Sequence, residues 1–434
     1  MPLCVKPATL CATREVPSRS PRVRCAVACT IDSIRDTAQV AITDTRQRAV
    51  FTGLLFSTMG VGTFGAASLG IIAVVFINDI GITRTQLGLV FAVNTVGAAV
   101  VSPLVGRFTD RIGGRLALIV VALTAAVSFL LLGAAASFSV LLVGAAVGAI
   151  AQAGSNPSTN KLIAEDLRPG SQGMVTGIKQ SGVQAFIFIG GIVVPSMVLA
   201  LGRPSAYIMF AGFSVGLALT AAWFLPREPM REDHSSVRAH ERLPTEIWWI
   251  ATYGFLMGFG GSTTILFALF ATERLGRSIV VGGAVPAVVG LTAIAARILW
   301  ARYAERHHAF RSSLIVIAGL SVFASLALLG AGAGVWWLIW IGAILTGIGS
   351  ASWNSVGMLG LIVFAGPLAA GRASGVVLFG FLIGLGVGPP LFGWIVDSSG
   401  SYDGVWLVSL VAFLAGALTM AAWKPQERSR SDVS

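Results

Sequence analysis

The stretch from Val105 to Arg115 reads VGRFTDRIGGR and carries four charged side chains, Arg107, Asp110, Arg111 and Arg115. The chain of 434 residues is only 11% charged and 55% hydrophobic, whereas soluble chains carry about 25% charged residues. Long apolar runs flank the stretch on both sides, and about 20 such residues suffice to cross a bilayer. It therefore reads as a tight turn between two membrane helices, and the rest of the chain can be divided from it.

Working outward, apolar runs fall at roughly 52–77, 85–107, 115–135, 139–163, 172–200, 204–225, 246–271, 279–303, 312–332, 336–365, 372–396 and 403–423. The expected fold is all-α, a membrane protein of twelve transmembrane helices in two six-helix pseudo-repeats. Its divisions are a polar tail at 1–50, a first half at 51–225, a charged linker at 226–245, a second half at 246–424 and a tail at 425–434. The first tail has no apolar signal segment and is expected to be disordered. The next methionine after Met1 is Met59, inside an apolar run, so a start placed too far upstream is an alternative source of the tail. Its four cysteines, Cys4, Cys11, Cys25 and Cys29, have no histidine among them and make a poor metal set. No metal and no cofactor are expected.

Orientation follows from Lys and Arg, which concentrate in cytoplasmic loops. With both termini cytoplasmic, the inner segments hold 24 of the 30 and the outer loops hold four: Arg84, Arg203, Arg274 and Arg277. The net charge of +11 is thereby explained by membrane topology, without nucleic acid. Both termini are expected inside, in the cell (inner) membrane.

The halves repeat one another. Gly173, Gly177 and Gly182 recur as Gly371, Gly375 and Gly380, and Asn156 recurs as Asn354. Ala221-Ala222-Trp223 recurs as Ala421-Ala422-Trp423, and Gly106 to Arg111 corresponds to Ala301 to Arg306. Parallel repeats of this kind suit a transporter.

Gly106, Asp110, Arg111, Gly113 and Arg115, between the second and third of twelve spans, resemble the signature loop of the major facilitator superfamily. The copy at Arg302, Glu305 and Arg306 is degenerate. Physically, Gly106 would let a neighbouring helix approach, and Asp110 would neutralise the positive N-terminal end of a facing helix. The resemblance implies that Asp110 faces the beginning of the eleventh helix, near Gly371 and Arg372, as a latch on the outward-open state. The run from Gly177 to Val183 is further similar to the fifth helix of bacterial cyanate and nitroimidazole-type carriers.

An ionisable group inside a membrane helix is costly and by default functional. Lys179 lies about seven residues into the fifth span and Arg297 about six residues from the end of the eighth, roughly 10 and 9 Å deep. On adjoining helices the two cations would make an anion site, although both could also snorkel to the interface. Gln180, Gln152, Asn156, Asn354, Trp353, Tyr253 and Asn94 are candidate polar partners for a substrate, and Gln184 lies nearby. No Asp or Glu falls in the middle of a span, and the four histidines are in loops. Drug–proton antiport through a buried carboxylate is accordingly disfavoured, while a lysine that releases its proton as an anion leaves offers another coupling route.

The expected function is secondary or facilitated transport of a small, anionic organic solute by alternating access, with a multidrug or organic-cation exporter as the alternative. No catalytic pair lies within the helices, so no enzyme activity is expected. The expected partners are the solute, a candidate coupling proton and the lipid bilayer, with the protein acting as a monomer.

Overall fold

The computed structural model describes residues 45–167, 172–225 and 243–424. The cysteines, Arg168, most of the two expected tails and most of the linker at 226–245 lie outside the described residues. Every regular element among the described residues is helical. The N-terminal set comprises α1 (Thr45–Ile71), α2 (Ala73–Ile80), α3 (Arg84–Ile112), α4 (Gly114–Ala134), α5 (Phe138–Asp166) and α6 (Gln172–Phe224). The C-terminal set begins with α7 (Thr245–Gly261), continued by short 3₁₀ and π turns to Arg274. It goes on with α8 (Ile279–His307), α9 (Phe310–Gly332), α10 (Leu338–Ile348), α11 (Trp353–Ser399) and α12 (Asp403–Ala422). The first described residue, Thr45, is already helical.

Among the described residues, ten helical segments are long and apolar enough to cross a membrane, where twelve separate runs were expected. The difference has a physical origin. Residues 172–224 form one helical element that doubles back at Gly202, whose φ of 79° glycine alone adopts at little cost. The rings of Phe186 and Phe213 lie 5.9 Å apart, whereas a straight helix would separate them by about 40 Å. In α11 the rings of Trp353 and Phe381 are 5.3 Å apart instead of about 42 Å, so this element folds back as well. The expected span at 336–365 is interrupted, because α10 stops at Ile348 and Gly349 leaves the helical region at ψ −108°.

The opening stretch does form a tight turn. The α3 helix ends at Ile112, and Gly113, at φ 86°, reverses the chain while its N–H donates to the Thr109 carbonyl. Gly114 then packs so closely on Leu162 that a Cβ would stand 2.7 Å from the Leu162 side chain. At the other end of α3, Thr83 and Gln86 form a reciprocal capping box.

The repeated motifs occupy equivalent places in the two sets. Gly182 abuts the Phe56 carbonyl with no room for a side chain, and Gly380 lies close on the Ala251 carbonyl, where a Cβ would stand at 3.1 Å. Arg115 donates to the Ala222 carbonyl, and Arg311 donates to the carbonyls of Met420, at 2.9 Å, and Ala421, at 2.5 Å. In both sets a cation thus grips the last carbonyls of a neighbouring helix, where the helix dipole favours positive charge. Small residues bring the sets together: Gly191 and Gly283 meet where α6 crosses α8, and Gly88 lies on Pro389 where α3 crosses α11.

Candidate functional site

Lys179 is fully buried on the α6 arm that precedes Gly202. Its Nζ donates to Asn160 Oδ1 at 2.5 Å, to Thr159 Oγ1 at 2.8 Å and to Asn156 Oδ1 at 3.5 Å. Thr159 and Asn160 follow Asn156 by one helical turn on α5, so these oxygens converge on one point. Gln180 Nε2 donates to the same Asn156 oxygen at 3.3 Å. An ammonium has three donors, and here all three meet neutral acceptors. Among the described residues, none of its partners is a carboxylate.

Arg297 is on α8, which adjoins α6: Gly290 packs on the backbone of Gln184 and Phe188. From that crossing Lys179 lies about 8 Å and Arg297 about 10 Å along their helices. The guanidinium of Arg297 donates twice to the Ala351 carbonyl, at 3.2 and 3.0 Å, within the break between α10 and α11. The indole of Trp300 donates to the Ile348 carbonyl at 2.9 Å, on the other side of that break. The two cations sit on adjoining helices, yet each is held by its own set.

The other candidates are distributed between the sets. Asn94 donates to the Ala145 carbonyl at 3.0 Å, while its Oδ1, like the Oε1 of Gln152, is buried without a hydrogen bond. Tyr253 is buried and donates to the Leu314 carbonyl at 2.7 Å. Its ring meets that of Trp353 edge-on at 5.9 Å, inside the core of the C-terminal helices. Asn354 is half-buried.

The two faces of the helical body differ. On one, Arg84 of the N-terminal set donates from Nε and NH2 to Glu273 Oε2 at 2.9 and 2.8 Å and from NH1 to Asp397 Oδ1 at 3.2 Å. Asp397 also accepts from the backbone N–H groups of Arg84 and Thr85, at 3.3 and 2.9 Å, and from the Thr85 hydroxyl at 2.6 Å. Tyr402 donates its hydroxyl to Glu273 at 2.6 Å. Burial and the adjacent Glu273 carboxylate push the Tyr402 phenol well above its ordinary range. A carboxylate from the C-terminal set thereby caps the N-terminus of α3.

On the opposite face, Asp110 is exposed, and its carboxylate takes no hydrogen bond or ion pair among the described residues. Its backbone carbonyl accepts from Lys161 Nζ at 2.7 Å. A Cβ on Gly106, Gly177 or Gly375 would meet nothing within 4 Å, so the close approach expected at Gly106 is not made in this arrangement. On the same α3 helix that approach occurs near the other face, at Gly88. Arg302, Glu305 and Arg306 are exposed at the end of α8. The sequence reading passed over the Arg84 network, Arg311, and Thr159 with Asn160. Arg311 had a signal, since it precedes the second Ala-Ala-Trp motif by nearly the same interval as Arg115 precedes the first.

Residues 50–333 match the Major Facilitator Superfamily profile. A probable sulfoacetate transporter of Cupriavidus necator is 24% identical over 410 residues, 86% of this chain and 93% of that protein. The quinolone resistance protein NorA of Staphylococcus aureus is 27% identical over 217 residues, which are 47% of this chain and 54% of NorA. Among solved structures, a bacterial homologue of the human lysosomal transporter Spinster, inward-facing and occupied, superposes with a TM-score of 0.69 at 17% identity. That match covers 88% of this chain and all of the other, and the likeness is one of fold.

Proposed function

Given that the chain belongs to the Major Facilitator Superfamily, we propose that it carries a small organic anion across the cell (inner) membrane by alternating access. Proteins of this family are multi-pass membrane transporters, not enzymes. The observation that carries the reading is Lys179, a buried ammonium whose partners are all neutral. A cation inside a membrane protein without a counter-charge favours an anionic guest. The substrate's anionic group replaces Asn156 or Asn160 at the ammonium, and Gln180, Gln152, Asn94 and Asn354 supply polar partners further along the path. Arg297 holds the α10–α11 break that faces this path, with Tyr253 and Trp353 behind it. The sulfoacetate named for the C. necator relative is an anion of the class proposed here.

Twelve crossings in two six-helix halves, with both termini cytoplasmic, accord with the two elements that double back and with the distribution of Lys and Arg. In that orientation the Arg84 face is external and closed, and the Asp110 face is open to the cytoplasm. Lys179 is also the proposed carrier of a coupling proton, held with the anion and released after it leaves. The unit of transport is the monomer.

The test is uptake of sulfoacetate by proteoliposomes. Lys179→Gln removes a charge-assisted hydrogen bond and is expected to raise the apparent KM roughly 10- to 100-fold. Lys179→Arg keeps the charge but not its compact geometry and should fall between the two. Equal KM for wild type and Lys179→Gln would defeat the reading. The likeness to NorA favours a second one, export of an organic drug, which predicts quinolone transport indifferent to Lys179→Gln.

A further inference from the structure

The side of α8 that faces away from α6 borders a groove of about 610 Å³, closed by α9 and by the end of α10 at Ile348. On α8, Gly283 and Gly290 meet α6. Successive residues of a helix turn by about 100°, so Ala295, Leu299 and Tyr303, which line the groove, occupy the opposite side. Leu299 is 66% exposed and Val316, across from it on α9, is 48% exposed, so the groove opens on the outer wall of the bundle. In a membrane protein that wall faces lipid.

Two features set this groove apart from an ordinary apolar furrow. Ser313 lines it at 1% exposure, and its Oγ has no hydrogen-bond partner. Serines in a helix usually bond back to a carbonyl one turn earlier, as Ser312, Ser321 and Ser325 do on this same helix. A buried hydroxyl left unpaired is costly, so Ser313 is a donor in want of an acceptor. The second feature is the rim. Tyr303 packs its ring against His307 at 4.8 Å, and exposed Arg302 and Arg306 flank the same end of α8. Among the described residues, none that lines the groove is acidic; Glu305 is the single carboxylate from Arg302 to His308, beside two arginines and two histidines.

We propose that this groove seats one anionic glycerophospholipid from the leaflet at the Asp110 face. An acyl chain lies along Ala295, Leu299 and Val316, and an ester carbonyl accepts the Ser313 hydroxyl proton. The headgroup phosphate rests among Arg302, Arg306 and the Tyr303 hydroxyl. The acyl chain, the ester acceptor and the anionic head match, in order, the apolar wall, the unpaired donor and the cationic rim. Trp300 also lines the groove and donates to the Ile348 carbonyl, so the bound lipid touches the helix break that Arg297, one turn away on the same helix, also braces.

The experiment is native mass spectrometry of the full-length protein in detergent, titrated with dioleoylphosphatidylglycerol or with dioleoylphosphatidylcholine. One bound phosphatidylglycerol is expected to persist at roughly 25-fold lower concentration than phosphatidylcholine, about fivefold for each of the two cations that meet the headgroup. Arg306→Gln lowers its retention about fivefold, and Ala295→Trp, which fills the groove, abolishes it. Ser313→Ala weakens both lipids alike, because both carry the ester. Equal retention of the two lipids, or phosphatidylglycerol retention unchanged in Arg306→Gln and Ser313→Ala, would overturn the assignment even if Ala295→Trp fails to fold.

Discussion

Asp397 and Asp110 each stand near the C-terminal end of a long helix, on opposite faces of the crossing between α3 and α11. Asp397 caps the first turn of α3 and shares Arg84 with Glu273. Asp110 has no such partner among the described residues. The packing follows the charges: Gly88, Gly386 and Gly393 near Asp397 leave no room for a side chain, whereas Gly106 and Gly375 near Asp110 face open space. The chemistry expected of Asp110, a carboxylate set on the positive end of a facing helix, is thus realised here by its counterpart on the other face. The lesson is that an acidic residue on one face predicts a matching device on the other. The two devices would alternate.

The largest expected effect comes from prying apart the packed side. Gly283 meets Gly191 and Pro195 where α6 crosses α8. Gly283→Leu inserts a side chain into a filled crossing, an overpacking that costs about 1–3 kcal/mol. Transport in proteoliposomes is expected to fall at least about tenfold while membrane insertion persists. Wild-type transport would mean that this crossing is not part of the working contact.

A smaller effect is expected at the seam. Asp397→Asn keeps its shape but loses the charge on the α3 N-terminus, worth about 1 kcal/mol at a partly exposed site. That shifts the equilibrium about fivefold toward separation of the Arg84 face. Spin labels at Asn78 and Ser399 should report a longer distance, while labels at Ala164 and His307 should close up. Lengthening on both faces would refute alternation.

Asp110→Asn should slow transport several-fold yet leave both resting distances unchanged, because its carboxylate has no partner among the described residues to lose in this arrangement. Glu305→Gln, whose copy of the motif has Ala301 in place of glycine, should change the rate less than Asp110→Asn does. A resting distance that moves in Asp110→Asn would show the residue to be engaged already.

Much of this fold could be read from sequence because its determinants are local. The turn at Gly113, the repeated glycines and the apolar runs all depend on neighbours within a helix or two. The reversal at Gly202 was legible, since the expected runs at 172–200 and 204–225 part there, but the break after Ile348 falls inside the run expected at 336–365 and hydropathy does not record it. The site was half legible. Lys179, Gln180 and Asn156 stood out as polar residues in an apolar run, but Thr159 and Asn160 become partners only once α5 and α6 are packed. The Arg84 network was the hardest to foresee, since its members lie 189 and 313 residues apart. Each of them, read singly, is an ordinary charge at a helix end.

The seam of Arg84, Glu273 and Asp397 is only partly shielded, with side chains 21–30% exposed, and its two carboxylates outnumber its one cation. Interactions between such groups are screened by dissolved ions over about 8 Å at physiological ionic strength and over about 3 Å at 1 M. Salt added on that side of the membrane alone would therefore loosen the closed state. The carrier would then sense the ionic strength of the compartment that this seam faces, a sensitivity that arises from where three charges sit and requires no dedicated sensor.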